Sequence, residues 1–238
     1  MTGVQTCALP IYLSVTLVAG DRAQVTTSVI RPTGDYLLSA GSVVGAPAKY
    51  QMVPAALQAP DDLFDVTVTS GSRSTTVTSK APGALVFQLP ADLTAPDPVM
   101  AIAPVLHPVF SFTTSTAQLP VQAYLLRART SRMPDDVARD WSAELSAAWV
   151  GGAGSAEYAF PDLTAVAGFA PDLLLDPGPV RWSVRRTETS IAGGDGRVTS
   201  TATRSGTIAM YCGDLVIQPP EACDPPDGVA CSATCTKL

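Results

Sequence analysis

The sequence predicts an all-β protein made of two tandem β-sandwich domains followed by a small cysteine-rich module. Three observations lead to this prediction. Val, Thr and Ser alternate over short stretches, 21 Pro and 18 Gly interrupt the chain at short intervals, and only 15% of the residues are charged. A chain of 238 residues is long enough for two small domains and a tail.

Residues 12–97 form the first predicted domain. Asp65–Thr69 and Thr75–Thr78 flank a turn at Gly71 and predict a hairpin. Residues 46–62 contain three prolines, which cannot donate to a strand ladder, so an irregular crossover is expected there. The strands predicted from period-two alternation are 13–18, 24–30, 36–40, 64–70, 74–79 and 84–89.

Residues 98–211 form the second predicted domain, after a proline-stiffened linker at 95–98. A helix is predicted over 134–149, because Ser131 and Pro134 resemble a helix start and Val137, Trp141, Leu145 and Trp149 recur every four residues. The alternation of Trp141, Ala143 and Leu145 also fits a strand. Strands are predicted at 109–113, 121–130, 156–160, 180–185, 197–203 and 207–211.

This second region resembles a fibronectin type III or related immunoglobulin-like domain. The resemblance rests on Phe112 as an early core aromatic, Leu163 in a loop between late strands, and Pro177-Gly178 leading into a strand that carries Trp182. It covers about residues 99–211 and implies a β-sandwich.

The last segment, residues 212–238, holds four of the five cysteines among Pro, Gly and Asp. It is too poor in apolar residues to bury a core that offsets the entropy of ordering it, so cross-links are expected. Two disulfides are favoured over zinc, because Cys212 and Cys223 are too far apart to form the close pair of a zinc knuckle. Three connectivities remain open among Cys212, Cys223, Cys231 and Cys235.

The same segment resembles the myxobacterial cysteine-rich repeat. The matching residues are Cys212-Gly213-Asp214, Glu221-Ala222-Cys223-Asp224, Asp227-Gly228, and Cys231-Ser232 with Cys235. The resemblance implies a secreted or surface-exposed protein and brings no catalytic role. Asp214, Glu221, Asp224 and Asp227 are weak calcium candidates, and solvated acidic turns are the favoured interpretation because the spacing is not that of an EF-hand.

Residues 1–11, MTGVQTCALPI, look like the in-frame translation of a sequencing-adapter oligonucleotide. On this interpretation Cys7 is not native, the native cysteine count becomes an even four, and the true N-terminus lies upstream. A signal peptide or a lipoprotein anchor upstream of Tyr12 is compatible with the expected surface location.

The net charge and the histidine content argue against several classes of function. The net charge of -6 and the presence of only three lysines argue against nucleic acid or an anionic membrane as partner. His107 is the only histidine and is expected to be a solvent-facing or capping residue. Residues 193–196 are interpreted as a hairpin turn, not a phosphate loop. No cofactor, metal or catalytic residue is predicted.

Two side-chain groups could carry binding. Trp141, Trp149, Trp182 and Tyr158 would form an aromatic platform for sugar, although core packing explains them more simply. Arg181, Arg185 and Arg186 are interpreted as an exposed strand face that discourages edge pairing.

These observations predict a non-enzymatic structural or adhesive binding module of a secreted or cell-surface protein. The alternatives are a carbohydrate-binding module and the accessory region of a larger secreted enzyme with its catalytic domain upstream. The expected partner is an extracellular or cell-surface protein or glycan, whose identity the sequence does not reveal.

Overall fold

The structure is a computed structural model. It describes residues 11–16, 22–43, 48–80, 85–101, 107–114, 117, 119–132, 137–151, 154–163, 166–170, 175, 180–192, 196–208 and 230. Most of these residues lie in strands and very few in helices, so the predicted all-β class is confirmed. The predicted adapter segment lies almost wholly outside the described residues, as do Cys7 and Cys212, Cys223, Cys231 and Cys235 with the calcium candidates Asp214, Glu221, Asp224 and Asp227.

The described elements are strands, one helical turn and one 3-10 turn at Ala55–Leu57. The helical turn, α1, spans Ala147–Val150. The strands are β1 (Ile11–Thr16), β2 (Ala23–Arg31), β3 (Gly34–Val43), β4 (Ala48–Tyr50), β5 (Leu63–Ser70), β6 (Arg73–Ser79), β7 (Leu85–Gln88), β8 (Val99–Ala101), β9 (His107–Thr113), β10 (Val121–Arg132), β11 (Val137–Ser146), β12 (Ser155–Ala159), β13 (Val180–Ala192) and β14 (Gly196–Ile208).

The strands form three sheets. An eight-stranded sheet has the order β11-β10-β13-β14-β6-β5-β2-β3, and two three-stranded sheets have the orders β4-β1-β7 and β12-β9-β8. The predicted hairpin is confirmed: β5 pairs antiparallel with β6, Thr67 lies opposite Thr76, and Gly71 takes a positive φ of 56° at the turn. That φ favours glycine because it has no Cβ.

The chain divides into two compact units. The first comprises Met1–Asp92, Thr116–Gln122 and Arg186–Thr203, and the second comprises Leu93–Ser115, Ala123–Arg185 and Arg204–Leu238. The units therefore interleave along the sequence, whereas the sequence predicted consecutive domains at 12–97 and 98–211. The residues of the predicted linker, including the buried Ala95 and Pro98, fall in the second unit.

The described residues of the first unit include an apolar core cluster. Alternate side chains of β2 and β5 are buried, as the period of two of a strand requires. Most of the buried positions hold apolar residues, and Thr27 and Ser70 are the buried polar ones. Burial removes these side chains from water, which is the main stabilising contribution. The cluster consists of Ala23, Val25, Val29, Met52, Phe64, Val66, Val68, Val77, Phe87 and Leu89.

Hydroxyl pairs connect the strands on the opposite face of the first unit. Thr67 bonds Thr76 between β5 and β6 at 2.9 Å, and Ser74 bonds Thr201 between β6 and β14 at 2.8 Å. β14 pairs with β6 over six positions, from Arg197 opposite Thr78 to Ala202 opposite Arg73. Through this long-range pairing, a segment late in the chain, Arg186–Thr203, contributes to the first unit.

One ion pair of the first unit fixes the end of β2 to the loop before β5. Arg31 donates from Nε and Nη2 to the two carboxylate oxygens of Asp62, at 2.8 and 2.7 Å. The backbone N–H of Ala59 also donates to Asp62. The hydrogen bonds from Arg31 lower the pKa of Asp62, with a further contribution from Ala59.

The helix predicted over 134–149 is wrong for residues 137–146. Residues 137–146 form β11, which pairs with β10 from Arg132 opposite Val137 to Ala123 opposite Ser146. A spacing of four residues satisfies a strand as well as a helix, because four is a multiple of the strand period of two. Only Ala147–Val150 adopts helical geometry, in a single turn.

Candidate functional site

Six aromatic rings of the second unit form a continuous series of contacts, which we call the aromatic ladder. Trp149 contacts Tyr158 at a centroid distance of 5.7 Å, and Tyr158 contacts Phe160 at 5.4 Å. Phe160 also contacts Trp141 at 5.6 Å and Phe110 at 6.0 Å, and Phe110 contacts Trp182 at 6.3 Å. Most of these contacts are edge-to-face, the geometry that the ring quadrupoles favour.

Trp149 is the solvent-facing end of the ladder, with 55% of its surface exposed. The side chain of Ser146 caps the turn α1 by accepting a hydrogen bond from the backbone N–H of Trp149, at 3.2 Å. Gly151 ends the turn with a φ of 69°, which glycine adopts without strain. The indole is therefore held on a short, capped turn directly after β11.

Tyr158 connects the exposed indole to the buried Phe160, and Trp141 contacts the same Phe160. The side chains of Tyr158 and Trp141 are both half-buried. Tyr158 lies on β12 opposite Phe110 of β9, and Trp141 lies on β11 opposite Ala128 of β10. Each residue is thus held by an antiparallel strand pair of its own sheet. Backbone pairing positions both rings, so their orientation does not depend on a loop.

Trp182 is the buried end of the ladder, with only 3% of its surface exposed. The guanidinium of Arg204 lies 5.8 Å from the centre of its ring, a cation–π distance. Its indole Nε1 has no hydrogen-bond partner among the described residues. The four predicted aromatic residues are therefore linked, but they differ in exposure. Trp182 lies in the core, Trp141 and Tyr158 are half-buried, and Trp149 is exposed.

Phe110 and Phe160 were not part of the predicted platform, although they connect its members. Phe110 occupies an inward position of β9, and Phe160 follows the last residue of β12. The alternation of Phe110 and Phe112 with polar or smaller residues in β9 indicates that both phenylalanines are buried. Nothing in the local sequence indicated that Phe160 would contact Tyr158 and Trp141 together.

The predicted arginine cluster also contains both exposed and buried residues. Arg181 and Arg185 are exposed on β13, whereas Arg186 is fully buried in the first unit. Arg186 Nε lies 2.7 Å from Glu188 Oε1, its Nη2 donates to the carbonyl of Ala91, and Glu188 accepts from the backbone N–H of Leu119. β13 is also an interior strand of its sheet, so the predicted role in preventing edge pairing is wrong.

The remaining candidates give no site within the described residues. His107 is half-buried at the start of β9, opposite Ala101 of β8. Among the described residues, no three or more His, Cys, Asp or Glu side chains converge into a metal-binding arrangement. No helix in the described ranges combines the length and apolar character needed to cross a membrane.

Comparison of the chain with protein-family models and with curated proteins finds no match. The arrangement of the aromatic ladder is therefore the main basis for a functional interpretation. An indole that is exposed at one end of a rigid series of rings offers a flat apolar surface that is fixed in position before a ligand arrives.

Proposed function

We propose that the chain is a non-enzymatic adhesive module of a secreted or cell-surface protein, and that it binds carbohydrate through Trp149 and Tyr158. The observation that carries this proposal is the exposed indole of Trp149 packed against the ring of Tyr158. The two rings together offer a flat apolar surface, larger than that of a single exposed aliphatic residue, against which a ligand can pack.

Sugar rings suit this surface. The C–H groups on one side of a pyranose ring are weakly positive and stack on the negative face of an indole, as other positive edges do. Tyr158, whose ring contacts Trp149, also carries a hydroxyl, a polar group that can hydrogen-bond a sugar. Aromatic anchors of this kind lose little conformational entropy on binding because their two side-chain torsions are already fixed by packing.

The surface location is supported by the cysteine-rich tail. Four cysteines at Cys212, Cys223, Cys231 and Cys235, in a segment too polar to fold by burial, are typical of oxidising compartments. The net charge of -6 is compatible with an extracellular protein and disfavours nucleic acid as ligand. Glycans are among the commonest ligands that such a compartment offers.

The proposal is tested by screening the full chain, with Cys7→Ser to leave an even cysteine count, on an array of neutral and acidic glycans. Binding to at least one glycan that Trp149→Ala reduces, with an unchanged thermal unfolding midpoint, supports the proposal. An array without any signal for the folded chain, or signals that Trp149→Ala leaves unchanged, would overturn it.

A further inference from the structure

Four exposed arginines of the second unit lie on one face of the eight-stranded sheet. In β10, Tyr124, Leu126 and Ala128 are buried and the residues between them point the other way. In the neighbouring strand β13, Val180, Trp182 and Val184 are buried in the same alternation. Because adjacent strands bury the same face of a sheet, the exposed residues share the opposite face. We call this set the arginine face: Arg127, Arg129, Arg181 and Arg185.

The arginine face is positive on a protein that is negative as a whole. β11 adds the exposed Asp140, opposite Arg129, and the exposed Glu144, opposite Leu125. With four positive and two negative side chains, the exposed face of these three strands carries a net charge of about +2 at neutral pH. The whole chain carries -6. Among the described residues, the structure records no ion pair for any of these four arginines.

Two other arginines of the chain do pair with carboxylates: the half-buried Arg31 with Asp62 and the buried Arg73 with Asp92. Four guanidinium groups kept together on interior strands repel one another by a modest amount, which a bound anion would remove. The planar fork of arginine suits carboxylate and sulfate groups, because it donates two parallel hydrogen bonds.

The spacing of the arginines favours a polymer over a single small anion. Residues two apart on a strand are separated by about 6.7 Å, residues four apart by about 13 Å, and neighbouring strands by about 4.8 Å. Arg127 and Arg129 are two residues apart, and Arg181 and Arg185 are four apart. A single carboxylate or sulfate cannot bridge groups distributed in this way, whereas a chain with repeated anionic groups can.

We propose that the arginine face binds an acidic polysaccharide bearing carboxylate or sulfate groups. Nucleic acid is less suitable, because its dense phosphate charge would meet Asp140 and Glu144 beside the arginines and the negative charge of the rest of the protein. An acidic polysaccharide has a lower charge density, with sugar units between its anionic groups. This proposal goes beyond the function proposed above and rests on residues other than Trp149 and Tyr158.

The test measures binding of the full chain, with Cys7→Ser, to immobilised polygalacturonate, dextran sulfate, neutral dextran and duplex DNA, and to vesicles with anionic lipid. The variant Arg129→Gln/Arg181→Gln removes two charges from the arginine face. The control Arg22→Gln/Arg197→Gln removes two exposed arginines of the first unit and causes the same change in net charge.

We expect the unmodified face to bind polygalacturonate or dextran sulfate and the first variant to bind about tenfold more weakly, since it loses two charge-assisted hydrogen bonds that solvent partly screens. The control should change binding by less than about twofold. Binding should also weaken as salt rises, and this measurement on the unsubstituted face keeps the test decisive if the variant does not fold.

Equal losses in both double variants would assign the effect to net charge and overturn the proposal. Binding only to DNA or only to vesicles would also overturn it, as would the absence of binding to both acidic polysaccharides. Weaker binding of both acidic polysaccharides by Trp149→Ala but not by Arg129→Gln/Arg181→Gln would likewise overturn it, while leaving the function proposed above intact, so the two proposals can fail separately.

Discussion

Gly206 lies against the indole of Trp182 so closely that a Cβ on Gly206 would be 2.8 Å from Nε1 and 3.0 Å from Cε2 and Cζ2. Real Cβ atoms do not approach other atoms this closely, so the ring or the strand would have to move. Trp182 is buried, at one end of the aromatic ladder, and has little room to shift. The absence of a side chain at position 206 is therefore required by packing.

We expect Gly206→Ala to lower the free energy of unfolding by about 1–3 kcal/mol through overpacking. Chemical denaturation followed by tryptophan fluorescence measures this change. Gly41→Ala is the matched control, because Gly41 also lies in a strand and a Cβ added to it would meet no atom within 4 Å. Equal destabilisation by both substitutions would show that strand glycines matter for a reason other than contact with Trp182.

The ion pair between Arg31 and Asp62 predicts a pH-dependent contribution to stability. Because the folded state lowers the pKa of Asp62 below its usual 3.8, the stabilisation is fully present above that value and is lost as the pH falls through the folded-state pKa. Asp62→Asn should therefore be destabilised relative to the native chain at pH 7, and the difference between the two should shrink below about pH 4.

Unfolding measured in urea from pH 7 to pH 2 checks this expectation. Asp61→Asn is the control, because Asp61 is the exposed neighbour of Asp62 and its substitution removes the same formal charge. A stability difference between Asp62→Asn and the native chain that stays constant down to pH 2 would contradict the assignment.

The buried pair of Arg186 and Glu188 predicts a compensating double substitution. Arg186→Met leaves the carboxylate of Glu188 buried without its guanidinium partner. The loss of one partner of a buried pair lowers the free energy of unfolding by about 3–5 kcal/mol. Adding Glu188→Gln removes that charge while keeping an oxygen for the backbone N–H of Leu119. The double variant should then be more stable than Arg186→Met alone in urea denaturation, and a less stable double variant would refute this expectation.

The cysteine-rich tail predicts two disulfides among Cys212, Cys223, Cys231 and Cys235. In the full chain with Cys7→Ser, oxidised and reduced forms should differ by about four mass units, one for each thiol hydrogen. Intact-mass spectrometry with and without reductant measures the difference. Four thiols that react with an alkylating reagent in the folded protein under native conditions would contradict the predicted disulfides and the oxidising compartment inferred from them.

Much of the fold could be predicted because strands with one buried face alternate in sequence. The β5–β6 hairpin follows from Val and Thr alternation around a glycine that takes a positive φ. The pairing of β14 with β6 could not be predicted, because no local pattern reports a partner more than 100 residues away. The helix prediction over residues 137–146 failed because their spacing of four residues fits both periods.

The candidate site was predictable only in part. The sequence identified Trp141, Trp149, Trp182 and Tyr158, but exposure depends on which element each residue joins. Trp149 is exposed because β11 ends at Ser146 and a single helical turn follows. Arg186 differs from Arg185 only by the alternation of β13, which buries one and exposes the other. The four arginines on one face follow from the adjacency of β10 and β13, which the sequence did not predict.

The most direct test of the proposed function is calorimetric titration of the full chain, with Cys7→Ser, with the glycan that gives the strongest array signal. Four proteins are compared: the parent, Trp149→Ala, Trp149→Phe and Val166→Ala, whose Val166 is a residue of the second unit with the same 55% exposure as Trp149. We predict that Trp149→Ala weakens binding about tenfold or more, as expected for an aromatic anchor, that Trp149→Phe weakens it less, and that Val166→Ala has no effect. Equal affinities of the parent and Trp149→Ala for that glycan would contradict the proposed function.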